Sequence, residues 1–86
     1  MKLLEVAQLF NINQEVIIQF INEEWIEPLD LSNLILDEDD LARIQLILEL
    51  QEQLGVNNES VPIILHLIDQ LNHLHLALMH GNKMNE

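Results

Sequence analysis

The sequence predicts a mainly α fold of four helices. The first two form a helix-turn-helix outline, a short β-ribbon is the one optional extended element, and the last is a leucine-rich, coiled-coil-like helix. Three observations predict it. Apolar residues recur three and four positions apart through most of the chain, the breaks between these runs carry asparagine, aspartate, serine, proline or glycine, and the final run alternates spacings of three and four.

Leu3, Leu4, Val6, Ala7, Leu9 and Phe10 share a helical spacing, and this short helix ends at Asn11-Ile12-Asn13, whose asparagines tolerate turn geometry and can cap the next helix. From Gln14 the pattern resumes with Val16, Ile17, Phe20, Ile21 and Trp25, giving a second helix to about Glu24. After Pro28 comes a polar bend at Asp30, Ser32 and Asn33. Leu34-Ile35-Leu36 is then too brief for a helix and long enough to pair as a small ribbon. Asp37, with Asp40 three residues on, marks a strong helix start, because the acids from Asp37 to Asp40 sit at the positive end of a helix dipole. Leu41, Ile44, Ile47, Leu48, Leu50 and Leu54 continue this third helix to Gly55, where Val56 folds back on Leu50. Asn57 or Ser60 caps the fourth, with Pro62 in its first turn, where a missing amide hydrogen does least harm.

In that last helix Val61, Ile64, Ile68, Leu71, His75 and Leu78 form an a/d seam, with Leu65, Leu67, Leu74 and Leu76 beside it. A helix apolar on so many sides requires cover on more than one, so Ile64, Ile68, Leu71, His75 and Leu78 are expected to meet a second copy in a homodimer. The expected organisation is a core over residues 1–56, a dimerisation helix over 57–80, and a frayed tail over 81–86.

A chain of 86 residues, 49% hydrophobic, suffices for one domain that buries roughly 60 to 65% of its unfolded surface, leaving little room for a deep active-site cavity. Fifteen acids face three cations, Lys2, Arg43 and Lys83, for a net charge of -12. Such a field repels phosphate backbones and anionic membranes, and a basic protein surface is its natural complement. Nucleic acid and membrane are therefore not expected as direct partners. The absence of cysteine excludes disulfides and thiolate chemistry and fits a reducing compartment, so the cytoplasm is the expected location. Met1 to Phe10 reads as a mature helix and not as a signal peptide, since Glu5 interrupts it and no small-residue cleavage site follows.

The element order, together with "INEEWIEP" at 21–28, "LDEDDLARIQLILELQEQLGVNNES" at 36–60 and "IILHLIDQLNHL" at 63–74, resembles the MerR-like winged helix-turn-helix group, and within it the chaperone-modulator family typified by CbpM. The likeness spans nearly the whole chain. Its specificity lies in the combination, because acid-capped "DLARI" helices ending in "LGV" also occur in true MerR-type regulators. The resemblance implies a cytosolic bacterial adaptor that binds the J-domain of a DnaJ-like, CbpA-type co-chaperone. It would keep that co-chaperone from stimulating its DnaK-type chaperone and lessen its DNA binding. One departure from a DNA-binding MerR protein is informative: the presumed recognition helix, Gln14 to Glu24, contains no lysine or arginine.

J-domains commonly carry a basic second helix, which makes Glu23, Glu24, Glu27 and Asp30 the candidate partner-binding residues, against the plainer reading of a solvated acidic face. Trp25 is either a binding anchor or, as the more ordinary reading has it, core behind helix two. Arg43 is expected to pair with Asp39 or Asp40 on its own helix face. His66, His73 and His80 lie along one stripe, but a seven-residue step separates rings by about 10.5 Å, too far to share an ion, so no metal is expected. His75 on the seam either fixes register and pH sensitivity or is an ordinary exposed histidine.

With no nucleophile elbow, no glycine-rich phosphate loop and no ligand motif, neither catalysis nor a cofactor is expected. Two alternatives accompany the modulator reading. A MerR-like DNA-binding regulator needs a basic groove-facing surface that the sequence lacks. A toxin-antitoxin or phage-type interaction module shares the acidic helical character.

Overall fold

Two short helices, α1 (Leu3–Phe10) and α2 (Gln14–Asn22), pack against each other across the turn Asn11-Ile12-Asn13. The computed structural model describes the backbone of residues 1–84 and the side chains of residues 1–80. α1 closes in a Schellman motif: Asn11 is left-handed at φ 55°, its N–H donates to the Gln8 carbonyl and that of Ile12 to the Ala7 carbonyl. Asparagine serves there because its short polar side chain tolerates positive φ. At the other end, the Lys2 N–H donates to Glu5 Oε1 at 3.0 Å, satisfying a donor that the helix itself leaves unpaired.

The optional ribbon does not form. Among the described residues there is no strand, only isolated bridges from Ile35 to Lys2 and to Asp30. The reason is the turn between them: Leu34 is left-handed at φ 51°, and Asp30 holds Asn33 through both oxygens at 3.0 Å. This curls the chain before a second ladder bond can form. The Met1 ammonium donates to the Leu36 carbonyl and the Leu36 N–H to the Met1 carbonyl, pinning the start of the chain to the entry of the third helix.

α3 (Glu38–Glu52) starts where the acids place it. Asp37 Oδ1 accepts from the Asp40 N–H at 2.9 Å, and Asp40 Oδ2 accepts from the Asp37 N–H at 3.0 Å, a reciprocal capping box. Asp40 is only 7% exposed, and that burial, reinforced by the charges of Asp37 and Asp39, pushes its carboxyl above the usual carboxylate range, against the lowering effect of the Asp37 N–H. The helix ends ahead of Gly55, at φ 65°, with the Val56 N–H on the Leu50 carbonyl.

The chain divides into two units, Met1–Val56 and Asn57–Glu86. In the first, the buried apolar residues are Val6 and Ala7 of α1, Ile17 and Phe20 of α2, Trp25, Ile26 and Leu36 between helices, and Ile44, Ile47 and Leu50 of α3. The second is α4 (Val61–Met84), led in by a turn in which the Asn57 side chain and carbonyl both accept from the Ser60 N–H. Its helical backbone continues past the apolar pattern and through Gly81, whose penalty of about 1 kcal/mol an otherwise continuous helix tolerates. Residues 85–86, the rest of the tail expected to fray, lie outside the described residues. No helix is long and apolar enough to cross a membrane among the described residues.

The capping box has a measurable consequence. Asp37→Ala should lower unfolding free energy by about 1 kcal/mol, whereas Asp40→Asn keeps the acceptor, removes a desolvated charge and should leave stability at pH 7 unchanged or raised. Because the folded-state pKa of Asp40 is raised, the native state takes up its proton more readily than the unfolded chain. Wild type should therefore gain on Asp40→Asn as the pH falls from neutral, in urea titrations followed by circular dichroism.

Candidate functional site

The segment leaving α2 is organised around Trp25. A second Schellman motif ends the helix, with the Glu24 N–H on the Ile21 carbonyl and the Trp25 N–H on the Phe20 carbonyl. The hydrophobic contact that accompanies this motif is the indole itself, 5% exposed, its ring centroid 5.5 Å from that of Phe20. Trp25 is thus core and not an exposed anchor. The Nε of Arg43 reaches off α3 to the Trp25 carbonyl, tying the third helix to the end of the second. Glu24 occupies the left-handed position at φ 62°, where glycine is the favoured residue.

Beside this joint lies an open depression of about 520 Å³ lined by Ile21, Glu24, Ile26, Glu27, Pro28, Leu29 and Leu31. Leu29 is 93% exposed and Leu31 63%. Two of the four acids singled out in the sequence, Glu24 and Glu27, line the depression, and Glu23 is exposed beside it on the chain. Asp30 differs from them. Its carboxylate holds the Asn33 side chain and N–H, and these hydrogen bonds keep it below the usual carboxylate range, so it serves the turn. The two leucines are the residues that sequence reasoning missed. Their signal was present: apolar side chains on either side of Asp30, in a loop with no helical period to bury them.

The MerR HTH family regulatory protein model matches residues 1–80. The chain belongs to this family. No curated protein matches it, and no solved structure does. In a MerR-type helix-turn-helix, α2 stands at the position of the recognition helix, which in DNA-binding members of the wider class enters the major groove. Here its exposed residues are Gln14, Glu15, Ile18, Gln19 and Asn22, followed by Glu23 and Glu24. A second open depression lies at its start, lined by Asn13, Gln14, Glu15 and Ile18. Helix N-termini attract anions, but Glu15 already places a negative charge there.

On α4 the MerR-family chain leaves a long apolar surface uncovered. Of the expected dimer residues, Ile64 and Ile68 are half-buried, while Leu71, His75 and Leu78 are exposed. Leu67 and Leu74 are exposed as well, so Leu67, Leu71, Leu74 and Leu78 make an all-leucine stripe sharing Leu71 and Leu78 with the expected seam. His66, His73 and His80 are exposed too, and among the described residues no group of three histidines or acids is placed to hold a metal ion.

Glu24→Gly should raise stability by up to about 1 kcal/mol, by removing the left-handed strain of a residue with a Cβ. Trp25→Ala should lower it by about 3 to 5 kcal/mol through the emptied core position. Urea titrations followed by circular dichroism check both.

Proposed function

We propose that the protein is a non-enzymatic chaperone modulator. In this reading it binds the J-domain of a DnaJ-like co-chaperone of the CbpA type through its acidic helix-turn-helix face, and so restrains stimulation of the partner DnaK-type chaperone. The observation that carries the reading is electrostatic. Between Lys2 and Arg43 the chain has no lysine, arginine or histidine, so the helix-turn-helix presents no positive charge between those two residues in a molecule of net charge -12. Affinity for duplex DNA depends on neutralising phosphates with such cations. The same surface is complementary to a basic protein helix and steers it inward. The sequence resemblance to the CbpM-type modulators supplies the particular partner.

The leucine stripe of α4 supports a homodimer as part of the same proposal. α4 carries one acid, Asp69, among the fifteen of the chain, so two copies can bring these helices together with little of the repulsion that the rest of the molecule would impose. Sedimentation should show a concentration-dependent dimer that Leu71→Ser with Leu78→Ser converts to monomer. A single monomeric species for the unaltered protein would refute the dimer and leave the partner reading untouched.

The partner reading is tested by titrating the protein into an ATPase assay containing a CbpA-type co-chaperone and its DnaK-type chaperone. Stimulation should fall with added protein, less so at raised salt, where exposed charges are screened. Reversing Glu23, Glu24 and Glu27 to lysine should weaken the effect by about tenfold or more, the size expected for several charge pairs at an interface. Undiminished stimulation, or a gel shift of duplex DNA by the isolated protein at physiological salt, would favour the DNA-binding regulator instead.

A further inference from the structure

We infer that the depression between the end of α2 and the loop after Pro28 is a docking groove for a basic amphipathic helix. Such a helix would seat an apolar side chain over Ile21, Leu29 and Leu31 while its lysines or arginines meet Glu24 and Glu27. The inference rests on the protein-binding reading above and goes beyond it, because it makes apolar burial, and not charge alone, the source of affinity.

Leu29 and Leu31 project into solvent from a loop whose neighbours Ile26 and Pro28 are buried, so their apolar area stays wet until something covers it. Charge selects the occupant. Carboxylates from Glu24 and Glu27 line the same depression, so they favour a cationic occupant over the acid-rich first unit of a second copy, nucleic acid or an anionic lipid surface, and α4 of a second copy, with no cluster of lysine or arginine, offers them no matching charge. Geometry selects its form. An extended peptide needs a strand edge to add to or an aromatic-lined groove, and among the described residues there is no strand to extend and the depression is lined by no aromatic side chain, whereas an open apolar depression suits the helix-in-groove mode.

The test is an amide-resolved NMR titration of the whole protein with a synthetic amphipathic leucine-lysine helix. Its controls are the same composition in scrambled order and the same helix with glutamate replacing lysine. The shifts should centre on Ile21, Glu24, Leu29 and Leu31, for the amphipathic basic helix alone. Leu29→Ser with Leu31→Ser should weaken binding by about tenfold or more, as loss of two apolar contacts predicts. Glu24→Gln with Glu27→Gln should flatten its salt dependence. Both leucines are exposed, and an unchanged circular dichroism melt verifies that the variant folds. Equal binding of the scrambled peptide, shifts centred on Asp37 to Asp40 or on α4, or a double serine variant that binds like wild type would each overturn the groove. Running a J-domain against the same variants separates the two claims. A J-domain that binds the double serine variant undiminished defeats the groove and spares the modulator. A basic helix held in the groove of a protein that ignores the J-domain does the reverse.

Discussion

Arg43 is one of three cations in a chain with fifteen acids, and its Nε is used on a backbone carbonyl, that of Trp25. The residues around that hydrogen bond are held from several sides. The indole lies on Phe20, the Schellman bonds fix Glu24 and Trp25 at the end of α2, and Arg43 brings α3 to the same point. A carbonyl at a helix exit that lacked this donor would have to find water or remain unsatisfied next to a buried ring. The loop after Trp25 therefore leaves the joint in a fixed direction, which puts Leu29, Leu31 and the carboxylates of Glu24 and Glu27 around one depression.

Charge and fold point different ways in this molecule, and the contrast gives the proposed function its physical basis. The helix-turn-helix of the MerR family is present, with its two short helices and tight asparagine turn. What is missing is the electrostatic half of DNA recognition, since no lysine, arginine or histidine occurs between Lys2 and Arg43. A scaffold of this kind lends itself to protein recognition with little change of backbone, because function resides in the surface side chains carried by a fold and not in the fold itself. Glutamate at the left-handed position of Glu24, where glycine would be less strained, adds a carboxylate to this surface at a cost in backbone strain.

The elements legible in the sequence were those set by local chemistry. Asp37 and Asp40 announced their capping box, the asparagine turn its bend, Gly55 the end of α3, and Trp25 its place in the core. Leu34-Ile35-Leu36 carried the optional ribbon, but strand propensity says nothing of whether a partner strand exists, and beside the Asp30 to Asn33 turn Ile35 makes only isolated bridges. The acids at 23 to 30 read alike in sequence, yet Asp30 serves the turn while Glu24 and Glu27 line the groove. Only the fold reveals which hydrogen bonds a carboxylate already holds. On α4 the a/d pattern gave the helix and its apolar character, but two overlapping stripes pass through Leu71 and Leu78, and spacing alone does not choose between them.

The central claim is that this helix-turn-helix recognises a basic protein surface. The most direct measurement is a pulldown with the purified protein from the soluble lysate of its own host at two salt concentrations, with captured proteins identified by mass spectrometry. The account predicts recovery of a DnaJ-like protein, with less of it at the higher salt. Absence of any J-domain protein at both concentrations would contradict it.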